Sequence, residues 1–165
     1  MDSPTRRSLL GGGVALLAAL AGCSSDTAQR RTETGGSGTD NRDLDLREAN
    51  VTDVTVESQG GDYHFDVTLY HDDAGEDGYA NWWQVETLDG EQLGRRELLH
   101  AHGTEPFTRS ETIAVPDGVS CVVVRGHDQT HGYGGQAMVV EPAAGETNAV
   151  SQGSERQAVD ESDCP

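Results

Sequence analysis

Four histidines in two short clusters are the residues of this sequence best suited to chemistry. His100 and His102 stand two apart in Leu99-His100-Ala101-His102, and His127 and His131 bracket Asp128 in His127-Asp128-Gln129-Thr130-His131-Gly132. On an extended chain a spacing of two puts both imidazoles of the first cluster on one face, their Cβ atoms about 6.6–7 Å apart. Imidazole together with carboxylate is a donor set that favours Zn, Cu or Fe over Ca. Asp128 would act as a ligand, or as the group that orients an imidazole from behind. The expected site is a transition-metal centre of His100, His102, His127, His131 and Asp128, provided that folding brings the two clusters to one point. His64 and His71 stand in reserve. The competing reading of the same residues is structural: exposed polar decoration on a strand, and an imidazole that caps a turn.

Other chemistry finds less support. The acidic loop 72–78 lacks the ligand alternation of an EF-hand. Thr108 and Ser110 have no base at a recognisable spacing, so nucleophilic catalysis is not expected. Arg109 and Arg125 lie on strand-like segments, where an arginine is solvated, paired with Glu, or used to bind a carboxylate. The protein reads as a binding protein more readily than as an enzyme.

The segments that must position these residues are strands. From 51 to 141 short apolar runs alternate with turn signals and no helical period develops. The clearest is 63–70, with Tyr63, Phe65, Val67 and Leu69 on one face and His64, Asp66 and Thr68 on the other. Further strands are expected at 51–57, 79–87, 92–101, 107–113, 120–127 and 136–141, with Leu88-Asp89-Gly90-Glu91 as a hairpin turn. Seven strands in about ninety residues predict an all-β fold, a single antiparallel Ig-like or fibronectin-type sandwich, with Trp83 buried on its third strand. A domain of this size can bury roughly 60–70% of its unfolded surface without a metal or disulfide.

Outside the domain the chain is polar. Residues 1–22 read as a signal peptide: Arg6-Arg7 precede the apolar run 9–20, too short for a membrane span. The arginine pair suggests the twin-arginine export route. Leu20-Ala21-Gly22-Cys23 resembles the lipobox of lipoproteins, in which the cysteine becomes a lipidated N-terminus. Residues 23–46 are expected to form a disordered tether, 47–142 the sandwich, and 143–165 a disordered acidic tail. The implied location is the extracytoplasmic face of the cell membrane, held by lipid on Cys23. Asn50-Val51-Thr52 is a glycosylation sequon at Asn50. Cys121 and Cys164 either pair outside the cell or remain a core thiol and a tail thiol.

The charge is extreme. The chain has 11 basic residues, all of them Arg, against 29 acidic ones, for a formal net charge of −18. Such a charge repels nucleic acid and anionic lipid heads, so no nucleic-acid partner is expected. In near-molar salt the Debye length is about 3 Å and self-repulsion is screened. The lysine-free, acid-rich composition resembles that of extreme halophiles, and the acidity reads as adaptation rather than as a ligand signature.

Two further resemblances rest on motifs. The runs Leu99-His100-Ala101-His102, Pro106-Phe107-Thr108-Arg109-Ser110 and His127 to Gly135 resemble a family of small exported bacterial and archaeal β-sandwich proteins, over roughly 63–140. Asp128-Gln129-Thr130-His131-Gly132 is similar to the Cys-X-X-His-Gly iron-binding loop of superoxide reductases, which are Ig-like domains. That resemblance implies a ligand role for His131, but Asp128 stands where those proteins have the thiolate. The expected function is a membrane-anchored metal-binding domain. The alternatives are a metal-independent envelope binding or adhesion module and a superoxide-reductase-like redox protein.

Overall fold

The computed structural model describes residues 43–72 and 75–165; the signal segment, Cys23 and most of the tether lie outside the described residues. Nine strands follow in chain order: β1 (Asn50–Gln59), β2 (Asp62–Tyr70), β3 (Ala80–Thr87), β4 (Gln92–Glu97), β5 (Phe107–Ile113), β6 (Val122–Asp128), β7 (Gly132–Tyr133), β8 (Gln136–Glu141) and β9 (Glu146–Ser151). All pairings between them are antiparallel. One sheet has the order β1-β2-β5, and the other has β4-β3-β6-β8-β9 with β7 on the end of β6. This is the sheet partition of an Ig-type sandwich, with β4 edging the second sheet.

Period-two patterning explains the core. Phe65, Val67 and Leu69 of β2 are fully buried, as are Trp83 and Val85 of β3, Val122 and Val124 of β6 and Val140 of β8. Trp83 lies in the inter-sheet core as its position on the third strand predicts. At the start of β1 the backbone runs hard against β6 and the β7–β8 link. A β-carbon on Gly126 or Gly134 would collide with the Ala49 carbonyl oxygen, so both positions require glycine.

Two expectations are corrected here. The fourth strand ends at Glu97, where Leu98 N turns to the Asn81 carbonyl (2.9 Å), so His100 and His102 lie in a loop and not on a strand. The tail beyond 142 is ordered. It forms β9 against β8 and then crosses the outer face of the second sheet, where Val159 and Cys164 pack over Cys121, Val123, Ala137 and Val139. Cys121 and Cys164 are joined by a disulfide. Beneath the tail, Arg125 and Glu86 form a buried ion pair, each at most 1% exposed. Arg125 also bonds Gln152 Oε1 and the Gln157 carbonyl (2.7 Å), while Glu86 accepts from Gln84 (2.9 Å) and Arg156 (3.1 Å). A charge taken out of water needs such partners. The aperiodic tail sequence conceals them because its anchors are the Gln152 amide, the Gln157 carbonyl and the Arg156 guanidinium.

Candidate functional site

Strand β6 carries the two site residues at its end to opposite sides. Val122, Val124 and Asp128 point toward the other sheet, and Val123, Arg125 and His127 point out. His127 therefore joins an aromatic group on the outer face. Its ring stacks on Trp82 at 4.2 Å and meets Tyr133 edge-on at 5.5 Å, and its Nδ1 lies 2.8 Å from Asn81 Oδ1. Arg95 covers the far side of Trp82 at 3.9 Å. Burial is the main cause that holds the His127 pKa below its ordinary value near 6.5; Asp128 opposes the shift and Arg95 adds to it. An unfolded chain takes up a proton at His127 before the folded one does. Stability contributed by His127 is therefore present above the unfolded pKa and is lost as pH falls through it. We expect the urea midpoint to drop as pH is lowered from 8 towards 5, with a shallower drop in His127→Gln; equal slopes would contradict this.

Asp128 is fully buried and governs the turn that follows. Its Oδ1 accepts from the backbone N–H of Thr130 (2.5 Å) and of His131 (2.7 Å), an Asx-type turn that fixes where His131 stands. Its Oδ2 has no hydrogen bond among the described residues. That oxygen lies 3.3 Å from His131 Nδ1 and 3.7 Å from His71 Nε2. His71, directly after β2, is 1% exposed, and its Nε2 also lies 3.2 Å from the Arg47 carbonyl. The centre of the site is thus a buried carboxylate oxygen between two imidazoles, one buried and one half-exposed.

A cleft of about 170 Å³ opens beside His131, lined by Asp45, Arg47, Glu48, His131 and Ser154. Burial raises the Glu48 pKa, and the neighbouring Asp45 raises it further. The Arg47 guanidinium bonded to Asp45 holds that carboxyl at about 2. Asp45 is thus the charged acid at the mouth, and Glu48 is the one nearer to holding a proton. Sequence reading missed both, because Asp and Glu are too common in this chain to stand out.

The expected donor set is divided. His131 and Asp128 come together, with His71 from the reserve. His127 turns to the outer face. His100 and His102 form a separate pair, ring centroids 4.7 Å apart, with His102 stacked on Phe107 at 4.1 Å. Among the described residues no three His, Cys, Asp or Glu side chains stand ready to hold an ion. Asn50 is fully buried and its amide nitrogen donates to the Asp45, Glu48 and Tyr70 carbonyls, which leaves no room for a glycan on the folded domain.

The chain is 54% identical to a protein of the haloarchaeon Halomicrobium mukohataei named "Putative lipoprotein", over 98% of both chains. It belongs to that protein's family. No protein-family model matches the chain. Among solved structures, a superoxide reductase (1Fe-SOR) from Giardia intestinalis superposes with a TM-score of 0.36 and 16% identity, over 64% of this chain and 99% of its own.

Proposed function

We propose that this family member is a lipid-anchored domain on the outer face of the cell membrane that binds a transition ion, Zn, Cu or Fe, without catalysing a reaction. The name of the haloarchaeal relative and the run Leu20-Ala21-Gly22-Cys23 support the anchor, with Cys23 as the lipidated residue. Arg6-Arg7 support export by the twin-arginine route. One observation carries the metal reading: the buried, unbonded Oδ2 of Asp128 between His71 and His131. Two ligands of an ion bound at ~2.0–2.2 Å lie roughly 3–3.5 Å apart in tetrahedral geometry. The Asp128–His131 separation already falls in that range, and His71 would close on it. A buried carboxylate oxygen with no hydrogen bond is costly, and a cation would satisfy it.

The donor set bears on the redox alternative. Cys121 and Cys164 are tied to each other, so neither supplies a thiolate beside His131. What remains is a set of imidazole and carboxylate. Equilibrium dialysis of refolded protein against Zn²⁺ in molar salt tests the proposal. Wild type is expected to retain one ion per chain. Asp128→Asn and His131→Ala should lose it, and a His100→Ala/His102→Ala variant should keep it. A wild type with no ion, or Asp128→Asn that retains as much, would sink the reading.

A further inference from the structure

Strands β4 and β5 are edges of opposite sheets and lie side by side, with Ile113 packed against Gly94 and Arg96 reaching Glu111 across the gap. A cleft of about 440 Å³ lies there, and Arg95, Arg96, Arg109, His100 and His102 are among its lining. Three of the six arginines among the described residues therefore gather at one place in a chain of net charge −18. The remaining three are spoken for: Arg47 by Asp45, and Arg125 and Arg156 by Glu86. The cleft arginines are not fully used. Arg95 is engaged, its Nη2 donating to Gln84 Oε1 (2.6 Å) and its guanidinium lying over Trp82, whereas Arg96 Nη1 has only Glu111 at 3.4 Å. The Nε atoms of both are buried without a hydrogen-bond partner among the described residues. Arg109 bonds the carbonyl of its neighbour Thr108 (2.7 Å) and rests against the Phe107 ring at 5.6 Å; it makes no ion pair among the described residues, and Glu111, which lines the same cleft, is turned to Arg96.

In so acidic a chain, an arginine with no ion pair among the described residues is a place prepared for an anion. In molar salt charge alone is screened within about 3 Å, and chloride competes for any simple positive site. Discrimination must come from the planar guanidinium fork, which matches a carboxylate, and from apolar contact. The cleft has both. The His102 ring lies flat on Phe107 with an interplanar angle of 10°, and Leu99 beside it is 80% exposed, the one large hydrophobic left exposed among the described residues. The volume falls in the usual range for a small-molecule site.

We propose that the β4–β5 cleft binds a small organic carboxylate with an apolar or aromatic body. The carboxylate meets Arg96 and Arg109, and the body lies along Leu99 and the His102–Phe107 stack. This site is separate from the one proposed at Asp128. The test is a titration of full-length protein with benzoate in molar sodium chloride, followed by the Nε–H resonances of Arg96 and Arg109 and the ring resonances of His102. These signals are expected to move saturably. Arg109→Gln should weaken binding by about tenfold or more, the usual consequence of losing one charge-assisted contact. Arg47→Gln should leave it unchanged, and the spread of the same spectra reports that each variant is folded. The proposal is overturned by the absence of saturation, by sulfate binding as well as benzoate, or by Arg109→Gln binding as wild type does.

Discussion

Glu86→Ala is expected to lower the unfolding free energy by about 3–5 kcal/mol, the largest effect of any single change considered for this molecule. The substitution leaves Arg125, at 0% exposure, with its charge and no counter-ion. It also removes the acceptor for Arg156 and Gln84 and so loosens the tail over the second sheet. Salt cannot substitute here, since screening acts on exposed pairs and this one is dry. The measurement is a urea midpoint at constant molar salt. Glu86→Leu combined with Arg125→Met should cost much less than Glu86→Ala alone, because no charge is then stranded. A loss below about 1 kcal/mol for Glu86→Ala would mean that water reaches Arg125 and that the pair is not buried as described.

Cys164→Ser should cost about 4 kcal/mol if the loop-closure account holds. The bond links residues 43 apart, and restricting a loop of that length in the unfolded chain contributes that much in the chain-entropy description. A second contribution arises in the folded state, where Cys164 and Val159 cover Val123, Ala137 and Val139. Wild type treated with a strong reductant should match Cys164→Ser in thermal midpoint, and reductant should not shift the variant further. If reductant leaves the wild-type midpoint unchanged, then the polar anchors at Arg125 and Glu86 hold the tail on their own.

The parts of the fold that could be read from residue order are those with an apolar inner face. Strand β2 alternates Tyr63, Phe65, Val67 and Leu69 with polar residues, and it appears almost as expected. Strand β6 is a run of valines, as a buried strand should be. Strand β9 escaped notice because Glu146–Ser151 is an edge strand of small and polar residues, and its stability comes from backbone pairing with β8. The tail escaped because amide and guanidinium bonds leave no hydrophobic period.

The candidate site was legible only in part. Asp128 and His131 are three positions apart in sequence, and the turn between them is local. The contribution of His71 depends on where β2 ends against β6, which is a tertiary fact. His127 was placed with the wrong neighbours because a one-residue step on a strand changes face, and Asp128 took the inner side. The pair His100 and His102 was expected on a strand that in fact stops at Glu97.

The bond between Cys121 and Cys164 fastens the tail at the threshold of the central strand of the second sheet. The cover over Val123 and Arg125 therefore answers to redox poise. A reducing compartment leaves it held by polar contacts alone, and an oxidising one bolts it shut.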